Sequence, residues 1–310
     1  MPRRASPRHY PQARLIALFL FLATAAVVAL LVACPPSRAP AAPTPETPPT
    51  TVTPPAAIPP ARTAPPPSGR AAEAPPEHPR PERETMVSMI IDDAGYNLDE
   101  LQAFLDLPQP LTIAVLPNLP HSREAARRVL AAGKDLILHC PIEPMGGEDP
   151  GPGALRVGES VATTESLLAA AFASVPGARG MNNHMGSRGT ADPDLMRAVL
   201  GYLRKENLFY VDSRTTADTV GPRIARELGV PFTERDVFID DEPAVDPIGI
   251  AFDKGVSEAK TRGTAVMIGH VQNRAVVDIL RARDRALTSL GFRWARLDDV
   301  MRERERKPAQ

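Results

Sequence analysis

From residue 86 onward the chain alternates short aliphatic or β-branched runs with longer amphipathic stretches, and that alternation leaves few folds open. The short runs are VSMII at 87–91, LTIAVL at 111–116, DLILH at 135–139, ARGMN at 178–182, LFYV at 208–211, VFI at 237–239 and TAVMI at 264–268. FRWARL at 292–297 is a weaker eighth. Between them, stretches such as 121–133, 163–175, 192–207 and 216–229 carry helical patterns, several opening on Ser, Thr or Asp and two closing on Gly, as helix caps prefer. The 192–207 stretch places Leu195, Val199, Leu200 and Leu203 on one face. Strand and helix in alternation predict a parallel sheet covered by helices.

Each strand then runs into polar residues. Asp92 and Asp93 follow the first, Pro117 and Asn118 the second, and His139 ends the third, leading to Pro141 and Glu143. Asn183 and His184 follow the fourth, Asp212, Ser213 and Arg214 the fifth, Asp240 and Asp241 the sixth, and Gly269 and His270 the seventh. In a parallel barrel the C-terminal strand ends form a single rim, where active sites sit. Seven strand ends in succession carrying chemistry-bearing side chains point to an enzyme.

The chain before residue 86 is of another kind. Residues 15–33, LIALFLFLATAAVVALLVA, hold neither charge nor proline and follow Arg3, Arg4, Arg8 and Arg14. Such a run fits either a signal peptide or a membrane anchor occupying 1–34, and the basic flank keeps the N-terminus cytoplasmic. LVAC, with Cys34 after small residues, resembles a bacterial lipobox, which would lipidate Cys34. Both alternatives predict a periplasmic or extracytoplasmic protein tethered to a membrane through an anchor or a lipid. Residues 35–85 contain 18 prolines and almost no large apolar side chain, the composition of a disordered linker. Fully extended, it would reach on the order of 150 Å at about 3.1 Å per residue. The remainder, 86–310, carries 27 basic and 32 acidic residues, a net charge near −5, which argues against a nucleic-acid partner. Cys140 is its one cysteine, so no disulfide forms within it; as the neighbour of His139 on a strand it faces the opposite way.

Two adjacent carboxylates at one strand end repel unless a cation or a proton settles them. A divalent metal would do so, one carboxylate binding it and the other staying free to accept a proton from water. His139 and His184 offer imidazoles, which suit zinc and other transition metals. Two histidines, one aspartate and an open position make a hydrolytic site. Asp240, Asp241 and Glu242 repeat the paired-acid pattern but read equally well as a solvated loop, and Gly151 and Gly153 suggest a mobile loop near the rim that could serve as a lid.

IIDDAGYN, LHCPIEP, NNHMGS, VDSRT and IGH, in this order and spacing, resemble the divergent polysaccharide deacetylases, distant relatives of the carbohydrate esterases. The resemblance covers essentially all of 86–305 and implies an incomplete, usually seven-stranded, (β/α) barrel. It implies Asp92 as the base and Asp93 as a metal ligand, with His270 as the general acid that protonates the leaving amine. The second histidine of the family's metal-binding pair is Glu143 here, so Glu143 or His184 would complete the set; His184 is favoured as the softer ligand. An arginine–proline block expected after the fourth strand is replaced by Asn182, Asn183 and His184. Asn183, Asp212 and Arg214 would orient the site or hold sugar hydroxyls. The implied activity is metal-dependent removal of N-acetyl groups from an envelope glycan, with zinc the expected ion. The alternative is a glycan-binding or regulatory module that keeps the fold without turnover.

Overall fold

The structure, a computed structural model, describes residues 84–306. The apolar segment, Cys34 and residues 35–83 of the proline-rich segment lie outside the described residues. Among the described residues nine strands, all parallel, form one curled sheet. In chain order the first half runs β1 (Thr85–Ala94), α1 (Leu98–Leu105), β2 (Thr112–Val115), α2 (Ser122–Ala131), β3 (Asp135–Ile142), α3 (Val161–Ser174) and β4 (Gly180–Met185). It continues through α4 (Pro193–Lys205), β5 (Phe209–Asp212), α5 (Gly221–Leu228), β6 (Phe232–Glu234) and β7 (Val237–Phe238). Last come α6 (Val245–Arg262), β8 (Thr264–His270), α7 (Arg274–Ser289), β9 (Phe292–Trp294) and α8 (Leu297–Arg306). Spatially the order is β6-β5-β4-β3-β2-β1-β8-β7, with β9 beside the start of β1. This is the parallel sheet that the alternation predicts, curled into the incomplete (β/α) barrel that the resemblance implies.

The strands bury both faces, so their hydrophobicity is continuous rather than alternating. Outward residues Val87, Met89, Ile91, Ile113, Leu136, Leu138 and Met267 pack under the helices, and Cys140 joins them on that outer side as expected. Inward residues Ile90, Ala114, Ile137, Val211, Val266 and Ile268 form a second core inside the curl. Leu297, Val300 and Met301 of α8 plug that core from the N-terminal end of the strands. Asn97, Ser160, Asp192 and Asn273 cap α1, α3, α4 and α7 through their side-chain oxygens, each cap contributing about 1 kcal/mol.

The structure departs from the sequence expectation in two places. β6 is a three-residue strand in VPFTE, too short to leave a periodic signal. The helix expected from 216 begins only at Gly221. Pro222 is tolerated in a first turn but not deeper, and Thr219 leaves the helix to donate to Asp212. The open seam lies between β6 and β7, the two ends of the sheet. Arg304 of α8 latches it from below, donating to Thr233 Oγ1 at 2.9 Å, to the Glu234 carbonyl at 3.1 Å and to the Asp236 carboxylate.

Candidate metal centre and active site

Strand geometry gathers the site. Side chains two residues apart share a face, so each inward apolar residue is followed on the same face by a residue at the rim. Ile90 leads to Asp92, Ile137 to His139, Val211 to Ser213 and Ile268 to His270. Register brings these positions side by side: Asp92 is opposite His270 across β1 and β8, and His139 opposite Asn182 across β3 and β4. Asp93 would face outward in a regular strand. Instead its φ is +65°, and the pairing of β1 with β2 slips between Ile91 and Ala94. That bulge brings both carboxylates of the Asp92–Asp93 pair to the same rim, and bulges of this kind recur beside active sites.

Asp93 Oδ1, His139 Nε2 and His184 Nδ1 form a triangle with sides of 3.1, 3.0 and 3.1 Å. A tetrahedral zinc site with bonds of about 2.0 Å has ligand–ligand edges of about 3.3 Å, so the triangle fits one face of such a site. Asp93 Oδ1 is buried and faces the ring nitrogens of His139 and His184, the place a carboxylate oxygen that shares a cation with them would take. Its other oxygen accepts from Gln272 Nε2 at 3.0 Å. Burial pushes the Asp93 carboxyl up, but the adjacent His139 and His184 outweigh it and hold it well below the usual carboxylate range.

Asn182, fully buried, orients the rest. Its Nδ2 donates to Asp92 Oδ1 at 2.8 Å and to Ser213 Oγ at 3.3 Å. Its Oδ1 therefore faces His139 Nδ1, 2.8 Å away, and accepts that ring's proton. With Nδ1 committed as donor, the Nε2 lone pair is the one that points into the triangle; a metal-ligating histidine is commonly fixed in this way. Burial lowers the basicity of His139, yet Asp92 and Asp93 carry its pKa above the usual value. A metal would have to displace that proton, so binding there releases protons and strengthens with pH.

Burial also raises the Asp92 carboxyl, against the pull of His139 and His270. On the far side, His270 Nδ1 lies 2.9 Å from Asp240 Oδ1, while Asp240 Oδ2 accepts the His270 backbone N–H at 2.8 Å. Burial opposes protonation of His270, but Asp240, with Asp92 and Asp93 behind it, carries its pKa up to about 9. The site thus holds a raised carboxyl and a protonated imidazole on adjacent strands beside the triangle, a candidate base and a candidate acid.

Other expected residues lie elsewhere. Glu143 accepts from Arg188 Nη1 at 2.7 Å and from the Val157 N–H at 2.8 Å, fastening the 143–157 loop, and it is not one of the three clustered ligands. Asn183 and Asp212 face outward, one residue out of step with Asn182 and Ser213. Asn183 bonds the Met185 carbonyl, the Ser213 N–H and Tyr210; Asp212 accepts from the Arg214 N–H and Thr219. Both are buried and satisfied within the protein, so of the two roles expected of them they take the shaping of the site and not the holding of sugar hydroxyls. Arg214 turns away into a cleft at the seam. The sequence gives Gln272 no role, names Asn182 only as part of a replaced block, and leaves Asp240 between a paired-acid site and a solvated loop. Counting in twos from Ile137 and Ile268 would flag rim positions, but the Asp240–His270 pair spans 30 residues and has no local signature.

A curled parallel sheet whose C-terminal rim gathers acids and imidazoles around one point defines a (β/α) barrel with a rim-borne candidate active site. A model of the divergent polysaccharide deacetylase family matches residues 89–301, and the chain belongs to that family. It is 32% identical over 217 residues to an uncharacterised protein of Haemophilus influenzae, covering 68% of this chain and 77% of that protein. To the uncharacterised protein YibQ of Escherichia coli it is 33% identical over 184 residues, 59% of this chain and 58% of the other. In fold it is similar to an uncharacterised protein of Agrobacterium tumefaciens C58, with a TM-score of 0.68 at 21% identity over 71% of this chain and 91% of that one.

Proposed function

We propose that the protein is a metal-dependent hydrolase that removes N-acetyl groups from an envelope glycan. The reading rests on one observation, the triangle of Asp93 Oδ1, His139 Nε2 and His184 Nδ1 with sides near 3.1 Å. Family membership supports a polysaccharide as the substrate class, and the basic-flanked apolar run at 15–33 supports an extracytoplasmic, membrane-tethered location. Asp93, His139 and His184 would hold the ion, zinc by the softness of the imidazoles. When bound, such an ion supplies Lewis acidity toward the acetamide carbonyl.

The chain's own groups divide the proton work. Asp92, its carboxyl raised by burial, takes a proton from the attacking water as the oxygen–carbon bond forms. His270, held protonated by Asp240, gives its proton to the amide nitrogen as the carbon–nitrogen bond breaks, so acetate and a free amine leave. Asn182 keeps Asp92 and His139 aligned throughout. The test is acetate release by the purified full chain from N-acetylglucosamine oligomers and peptidoglycan fragments, with metal content measured in parallel. The expected result is bound metal and acetate release that Asp92→Asn lowers by at least about 100-fold. Bound metal and glycan affinity with no acetate from any substrate would replace this reading with that of a binding module.

A further inference from the structure

Because the barrel is incomplete, a groove remains where a closing strand would lie. At the β6–β7 seam a cleft of about 430 Å³ is lined by Arg214, Glu234, Arg235, Asp236 and Arg262 among others. That volume falls within the usual size of small-ligand sites. Its charges are unequal in availability. Asp236 is already claimed by Arg304, by Arg262 at 3.1 Å and by the Val266 N–H at 2.7 Å. Glu234 approaches Arg214 only to 3.6 Å.

Arg235, with Asp241, Asp212 and Asp236 in its electrostatic surroundings, is held by backbone and ring contacts. Its Nε and Nη2 donate to the carbonyls of Ser213 and Arg214 at 2.7 and 3.0 Å, and its guanidinium lies 3.7 Å from the centre of the Phe238 ring. Those bonds fix the plane of the guanidinium and commit its Nε–Nη2 edge, leaving the Nη1 end as the donors that a carboxylate could still meet. Arg214 holds a left-handed backbone, φ +54°, fastened by its own N–H to Asp212. Non-glycine residues keep that conformation only where the surroundings enforce it, commonly near functional sites.

Two residues outside the lining link the cleft to the candidate active site. Phe238, beneath Arg235, stacks on His270 with ring centres 5.6 Å apart. Ser213, which precedes Arg214, accepts from Asn182.

We propose that this cleft is a subsite for a carboxylate carried by the glycan, on a uronic acid or a lactyl-substituted amino sugar next to the N-acetyl group. The proposal rests on the glycan reading above and specifies its substrate as acidic. It is tested by titration calorimetry of the full chain at low salt. The ligands are a neutral N-acetylglucosamine oligomer, an oligomer of equal length containing N-acetylmuramic acid, and a phosphorylated oligomer. The acidic oligomer is expected to bind at least tenfold tighter than the neutral one. The Arg214→Gln/Arg235→Gln double variant is expected to abolish that preference while keeping the neutral affinity, and Arg→Lys at both positions to restore part of it. Equal affinity for neutral and acidic oligomers, a preference that survives the double variant, or a stronger preference for phosphate overturns the proposal. Binding is read without turnover, so a failure to release acetate leaves the subsite standing. A failure to bind any glycan overturns both.

Discussion

Asn182 carries no charge, yet Asp92, His139 and Ser213 all depend on it for alignment. Replacing it with leucine keeps the volume and removes both the acceptor that fixes the His139 ring and the donor that fixes Asp92. Loss of such an outer partner commonly weakens metal affinity 10–100-fold, and competition against a chelator would read that drop directly. The acid partner is equally open to measurement. With its pKa raised to about 9, His270 stays protonated well above the unfolded value of about 6.5. Its pairing with Asp240 therefore stabilises the fold fully below about pH 6.5, and that contribution fades as pH rises through about 9. In metal-free protein, imidazole NMR should show His270 titrating near 9, and Asp240→Asn should move the titration down toward the ordinary range and flatten the pH dependence of the melting temperature. An unshifted titration in the variant would remove Asp240 from its assigned role. Residue by residue, the sequence is legible where chemistry and strand position coincide, as at Asp92, His139, His184 and His270. It misleads at Asn183 and Asp212, because two polar residues in a row give no sign of which one faces inward. Only the register with Ile137 and Val211 settles that.

At the scale of elements, the decisive feature is the break in β1. Asp93 reaches the rim through a positive φ, and Gly95 follows at +127° with a Cβ position only 3.3 Å from the Leu116 carbonyl oxygen. An L side chain at 95 is strained in that conformation even before the carbonyl yields, so Gly95→Ala should cost about 1–3 kcal/mol. It should also loosen metal binding, since the turn it strains is the one that delivers Asp93. Urea denaturation and metal titration of the variant would show whether both effects appear together. IIDDAG contains this turn in plain view, yet nothing in it tells a bulge from a helix cap; the slip is defined only against β2. Short elements are hidden for a related reason. β6 and β7, three and two residues long, have no room for a period, although they form the seam that shapes the proposed subsite.

For the molecule as a whole, two cores separated by one sheet explain why the strands read as unbroken aliphatic runs. The inner core is small and closed from below by α8, whose last residues come from the far end of the sequence. Leu297 is fully packed there, and Leu297→Ala should destabilise the domain by about 2–5 kcal/mol, measurable by urea denaturation, with no direct effect on the rim. The barrel class was legible because alternation and rim chemistry are properties of every strand. The plug was not, since LDDVMRERER is mostly charged and shows only Leu297, Val300 and Met301 to the core. Convergence of the rim residues is what everything else depends on, and it is most directly tested by metal analysis of the purified full chain beside its His139→Ala, His184→Ala and Asp93→Ala variants. The account predicts close to one divalent ion per chain, bound tightly in the parent and at least tenfold more weakly in each variant. An ion held equally well by all four proteins, or by none of them, would contradict it.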